Sequence, residues 1–274
     1  MNWRESENGI GDLMRCGSRS IAGGSLADPG SVNVGWWAAR GIAVGPDPMG
    51  RADLFSLAAT ARESGSDEAL VELFWHVLAW GVVGNFRNAA RIVRAAVADG
   101  GEARLLSALR PASDASHHGD IEAGYRAFVN YRISQFNYAF FSKFLYFTSD
   151  RSKPAPRCLI LDDRVATALR TVTGRSYIPG SAARKPTAYV DYCRDVHRWS
   201  VLYGCNPDEI EWRLYRFGQL IGTRERWLRA EVSLYRDGET PVSFDAIVAR
   251  VGNPGFMVRT DLPELIDAGG FREI

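Results

Sequence analysis

The stretch YAFFSKFLYF, Tyr138 to Phe147, sets one ammonium, Lys143, inside a run that otherwise reads as the wall of a core. Lysine is rare here: Lys143, Lys153 and Lys185 are the only three among 33 basic residues, and the rest are arginine. Phe140, Phe141, Phe144 and Phe147 lie three, two, one and four residues from Lys143. On a helix those spacings bring rings around the side chain and leave few wet directions. A surface lysine with a packed stem and a solvated head is the plain alternative. An amine sheltered from water gives up its proton more readily, and the neutral nitrogen is a nucleophile. A guanidinium stays protonated and cannot take that part.

Working outward, the spacing predicts a helix from Ile133 to Thr148, ended by the two prolines of SDRSKPAPR. Next comes LILDDRVATALR, an apolar run that passes through two acids into another helix. An aspartate at that junction can cap the helix with its carboxylate, and either Asp162 or Asp163 could serve. Earlier segments, ADLFSLAATAR, DEALVELFWHVLAWG and NAARIVRAAVADG, repeat apolar residues at helical intervals. The last two should stop at Gly81 and Gly100. ARLLSALR reads as a short helix before a loop, PASDASHHGD, which would hold His117 and His118 at the surface. A helix is expected over Ile121 to Asn130, and two more over TAYVDYCRDVHRWSVLYG and PDEIEWRLYRFGQLIG.

The expected fold class is all-α, with an irregular N-terminal segment over 1–50, a helical domain over 51–236 and a small mixed C-terminal extension over 237–274. GWWAARG, Gly35 to Gly41, is the place where the lead-in would pack on the body. A formal charge of +1 does not announce a nucleic-acid binder, and arginine bias also follows from base composition of a genome. Cys16, Cys158, Cys193 and Cys205 show no CxxC spacing, so neither a zinc site nor an iron–sulfur loop is expected. No apolar run approaches the ~20 residues that span a bilayer. The reading is a cytoplasmic protein with reduced thiols, no metal, no cofactor and no membrane contact.

Lys143 and Asp162, joined by helix, proline-bearing loop, apolar run and acid, resemble the lysine and aspartate of the helix-hairpin-helix superfamily of DNA glycosylases. The likeness is greatest to its oxoguanine branch and to divergent prokaryotic antiviral members. LILDDRVATAL is similar to the superfamily's "ILDxxVxRVL" type of segment, which favours Asp162 over Asp163. NFRNAARIV, Asn85 to Val93, is similar to the "NNNIARI" segment of the oxoguanine enzymes. The resemblance covers about Leu70 to Gly218. One departure stands out: where the superfamily hairpin reads like "LPGVGxK", this chain has ISQFNYAFFSK, without glycine. Its grip on a DNA phosphate through backbone amides is therefore altered or lost.

The resemblance implies a DNA glycosylase that flips a modified base out of double-stranded DNA and cuts its N-glycosidic bond, leaving an abasic site. Lys143 would attack the sugar or assist a water, and Asp162 would stabilise the positive charge that develops. It places Phe86 and Arg87 where a wedge enters the base stack and Arg91 where the estranged base is read. Asn88, Gln135 and Asn137 are taken with them as DNA-contacting. Tyr138, Tyr192, His197 and Trp199 are candidates for the base pocket, with core packing an equal alternative for each. The expected substrate is a hypermodified phage base such as glucosylated hydroxymethylcytosine, the expected state a monomer. An oxoguanine repair enzyme and a non-catalytic DNA-binding helical module are the alternatives.

Overall fold

The computed structural model describes residues 9–11, 13–14, 30–82, 86–98, 100–131, 133, 135–153, 156–177 and 186–221, together with five short strands beyond them. Asn85, Arg132, Cys16 and Lys185 lie outside the described residues. The chain falls into two compact units, one of 27–160 with 181–190, the other of 1–26, 161–180 and 191–274.

In the first unit the lead-in is pinned at both ends. Gly30 and Met49 pair as an antiparallel bridge, and Trp37 of helix α1 (Val34–Ala38) is fully buried. The Gly45 amide donates to His76 Nε2 on the third helix, at 3.2 Å. Helix α2 (Arg51–Ser64) begins where Asp53 accepts from the Gly50 amide and ends at Gly65, whose φ of 62° a side chain would resist. Helix α3 (Asp67–Gly81) is capped by Ser66 and buries Leu70, Leu73, Phe74, Val77 and Leu78 on one face. Helices α4 (Arg87–Val97), α5 (Gly101–His118) and α6 (Ile121–Asn130) follow.

Helix α7 (Tyr138–Thr148) is the hub of this unit, packing against α2, α3, α5 and α6. From Phe141 to Thr148 every side chain is buried, as expected of a helix that is apolar all round. Phe141 stacks on Phe128 of α6, and Phe147 meets Phe55 of α2 and Trp80 of α3 edge-on.

Two sequence expectations are corrected here. The loop expected at PASDASHHGD is helix: α5 runs without a break through Pro111 to His118 and stops at Gly119, with φ of 84°. A proline removes one backbone donor, but packing on α6 and α7 outweighs that local cost. Ala112 and Ser116 are buried there, and Ser116 Oγ lies 2.7 Å from Thr148 Oγ1 of α7. His117 and His118 thus close a helix rather than sit in a loop. Helix α7 starts five residues later than expected, at Tyr138 rather than Ile133, because Gln135 has a φ of 66° and Asn137 caps the helix.

The second unit holds helix α8 (Asp163–Thr173), most of α9 (Pro186–Tyr203) and α10 (Pro207–Ile221). Helices α8 and α10 pack closely, since a Cβ on Gly218 would meet the Arg164 carbonyl. The Arg164 guanidinium adds a 2.6 Å bond to the Tyr215 hydroxyl. After α10 come β1 (Trp227–Leu228) and β2 (Val232–Leu234), both before the expected extension, and then β3 (Val242–Ser243), β4 (Val258–Arg259) and β5 (Phe271–Glu273) within it. β1 pairs antiparallel with β4, and β2 lies between β3 and β5. The body is all-α, and among the described residues no helix is long and apolar enough to cross a membrane.

Candidate active site

Lys143 occupies the centre of α7 with 8% of its surface exposed. Its Nζ donates to the Ala139 carbonyl one turn back, at 2.7 Å. The side chain is therefore not a snorkelling surface lysine: its stem runs over Gly81 at the end of α3 and beside Phe140. Burying an ammonium is expensive unless its donors are met, and the turn-back carbonyl meets at least one. Cys158, also buried in this unit, is inert. Burial pushes its thiol up to about 12, so almost no thiolate forms near neutral pH.

Asp162 is the cap of α8, and Asp163 is exposed as the first residue inside the helix. Asp162 Oδ1 accepts from the Arg164 and Val165 amides at 3.0 and 3.1 Å. Those two bonds fix the carboxylate at the N-terminal end of α8. The run ahead of it, Cys158 to Leu161, is wholly buried and makes no strand. Its place is held instead by the Tyr189 hydroxyl, which donates to the Leu159 carbonyl at 2.8 Å.

The residues expected to touch DNA are mostly outward-facing. Arg87, Asn88 and Arg91 on the first turns of α4 are exposed, and Phe86 is half-buried at the N-terminus of that helix. The structure brings Arg91 to Gln135, with Nη1 3.5 Å from Oε1, a long bond between exposed groups. Asn137 is also exposed, but its Oδ1 is taken up by the Ala139 amide as the cap of α7. Tyr138 is half-buried. On α9, Tyr192 and Trp199 are fully buried two turns apart, whereas His197 projects from another side of the helix and is half-exposed. Trp199 Nε1 has no hydrogen-bond partner among the described residues.

Two further neighbours are supplied by the tertiary fold: the packing of GWWAARG was expected, but not its partner, and the contact at Gly81 was not expected at all. Trp36, from the lead-in, lies against Phe86, and Gly81 underlies Lys143. Both contacts join distant parts of the chain, and no spacing rule could have found them. Among the described residues no group of three or more His, Cys, Asp or Glu is placed to hold a metal ion.

The all-α body is of the class that the motifs suggested, a glycosylase-like helical protein. A family model described as "Putative 8-oxoguanine DNA glycosylase OGG-like protein" matches residues 29–215. The chain belongs to that family of OGG-like DNA glycosylases. The match begins within the lead-in and takes in both Lys143 and Asp162. No curated protein and no solved structure matches the chain.

Proposed function

We propose that the protein is a DNA glycosylase in which Lys143 is the nucleophile and Asp162 the charge-stabilising carboxylate. The observation that carries this reading is Lys143 itself, a rare lysine held buried in the central helix where its amine meets a backbone carbonyl. Arginine serves almost everywhere else in this chain, so an amine at this position is explained by chemistry that needs a lone pair.

The reaction balances as follows. The Lys143 nitrogen bonds to C1′ of the flipped nucleotide while the C1′–N glycosidic bond breaks, its electron pair leaving with the base. The base takes up a proton from water, and the new C1′–N ammonium loses one to water. The sugar ring then opens to a Schiff base, which water hydrolyses to the free amine and the abasic aldehyde. As the base leaves, the sugar carbon becomes electron-poor, and the Asp162 carboxylate offsets that charge. Its bonds to the Arg164 and Val165 amides support a carboxylate held in one place, which needs no reorganisation during the reaction.

The substrate is a modified base in double-stranded DNA, and we assign it to the hypermodified bases of phage DNA. The support is the stretch before Lys143, which has no glycine where the superfamily's hairpin has two and in which Gln135 takes a φ of 66°. The test compares release of base from DNA carrying glucosylated hydroxymethylcytosine with release from a duplex carrying 8-oxoguanine. Excision of the first supports the assignment. Excision of 8-oxoguanine alone makes it a repair enzyme, and binding without excision of either makes it a non-catalytic module. Asp162→Asn keeps an oxygen to cap α8 and is expected to fold normally while losing base release.

A further inference from the structure

We propose that Gly81 is a positioning residue for Lys143, fixing the path of the lysine stem and hence where its amine stands. The inference rests on Lys143 being the nucleophile. Gly81 is the last residue of α3, and its φ is not in the left-handed region that calls for glycine. The backbone there would accept alanine, a better helix former by about 1 kcal/mol. What a side chain at this position would contend with is therefore space, and the space is taken by two named side chains.

A Cβ on Gly81 would stand 3.2 Å from Lys143 Cδ and 3.3 and 3.4 Å from Cδ1 and Cε1 of the Phe140 ring. Contacts that tight force a neighbour to give by a few tenths of an ångström. Gly218 and Gly101 are different, since there a Cβ would meet backbone carbonyls and the glycine serves the fold. At Gly81 the Cβ would meet the stem of the proposed nucleophile. Lys143 is buried and tethered through Nζ to the Ala139 carbonyl, so the stem cannot swing into solvent to absorb the push. The displacement is carried to the nitrogen, and a misplacement of ~1 Å at a reacting atom costs on the order of a hundredfold in rate. A few tenths of an ångström should then cost about tenfold.

The experiment uses the full chain and a duplex holding a single abasic site, with borohydride as the trap. The Lys143 amine condenses with the C1′ aldehyde, water leaves, and hydride from the borohydride reduces the C=N bond to a stable amine. For Gly81→Ala, we expect trapping at saturating DNA to slow about tenfold, DNA affinity to stay within about twofold, and Tm to hold or rise. Trapping at the wild-type rate overturns the inference, and so does a fall in Tm or in DNA affinity large enough to account for the slower trapping. Lys143→Gln separates the two claims. If that variant still forms the adduct, or the wild type forms none, the reading of Lys143 fails and the role of Gly81 falls with it. If the adduct vanishes in Lys143→Gln while Gly81→Ala traps normally, only the role of Gly81 is lost.

Discussion

Trp36 lies against Phe86, their ring centroids 4.6 Å apart and their planes inclined by 31°. The Arg40 guanidinium sits 3.7 Å from the Trp36 ring centroid, and its Nη1 donates to the Trp36 carbonyl at 2.8 Å. The lead-in is therefore built into the α4 end that carries the proposed wedge, and the family match correspondingly begins at residue 29.

If Phe86 enters the base stack, Trp36 braces it, because an aromatic pair contributes ~0.5–1.5 kcal/mol beyond the area it buries. Flipping a nucleotide costs a few kcal/mol, so losing that brace is felt. Trp36→Ala and Phe86→Ala should each lower the fluorescence rise of a 2-aminopurine placed beside the target site. The double variant should be no worse than Phe86→Ala alone. Fully additive losses would show that Trp36 acts by some other route.

Replacing Lys143 with methionine keeps the length and apolar stem of the side chain while deleting the amine. The variant loses the bond to the Ala139 carbonyl but no longer buries a polar head group. These terms oppose each other, and the net change should be within ~1 kcal/mol, or about 2–4 °C in Tm. Adduct formation should disappear altogether. A loss of ~10 °C in Tm by calorimetry would instead make the amine a structural element.

Much of this architecture was legible locally. Helix α8 announces itself through Asp162 at its start and Gly174, at φ 67°, at its end, and α6 through the Asp120 cap. The start of α7 was not legible, since glutamine is no signal for a left-handed residue and Gln135 takes that conformation all the same. Pro111 and the polar run after it imitate a loop, and only contact with α6 and α7 holds that segment helical. Lys143 and Asp162 stood out by chemistry and local pattern. Trp36, Gly81 and the Arg91–Gln135 contact did not, because each is defined by a partner that the tertiary fold supplies.

Gln135 stores strain at an exposed turn. A side chain at φ 66° costs roughly 1–2 kcal/mol. Glycine would relieve that at an unfolded-state cost of ~0.5–1 kcal/mol. Gln135→Gly should therefore raise stability by about 0.5 kcal/mol or slightly more, the bond to Arg91 being too long and exposed to weigh against it. If Arg91 reads the base opposite the target, as the resemblance implies, losing its one contact with Gln135 should relax that preference even though the bond adds little stability. A measured fall in Tm would contradict the strain, and unchanged opposite-base preference would take Gln135 out of recognition.

Gly218 supplies the counter-case to Gly81. Its missing Cβ would run into the Arg164 carbonyl and α-carbon, both backbone, in the first turn of the helix that Asp162 caps. Backbone cannot rotate aside as a side chain can, so alanine must push α10 away from α8. It would also stretch the 2.6 Å bond between Arg164 and the Tyr215 hydroxyl. Overpacking of this kind costs ~1–3 kcal/mol. Gly218→Ala should thus lower Tm by about 5 °C. Base release should fall too, because the amides that hold the Asp162 carboxylate belong to the displaced turn. Gly81→Ala is expected to lose rate at constant or higher Tm, whereas Gly218→Ala should lose both together. A Gly218→Ala protein as stable as wild type would mean that α8 and α10 do not meet as closely as described.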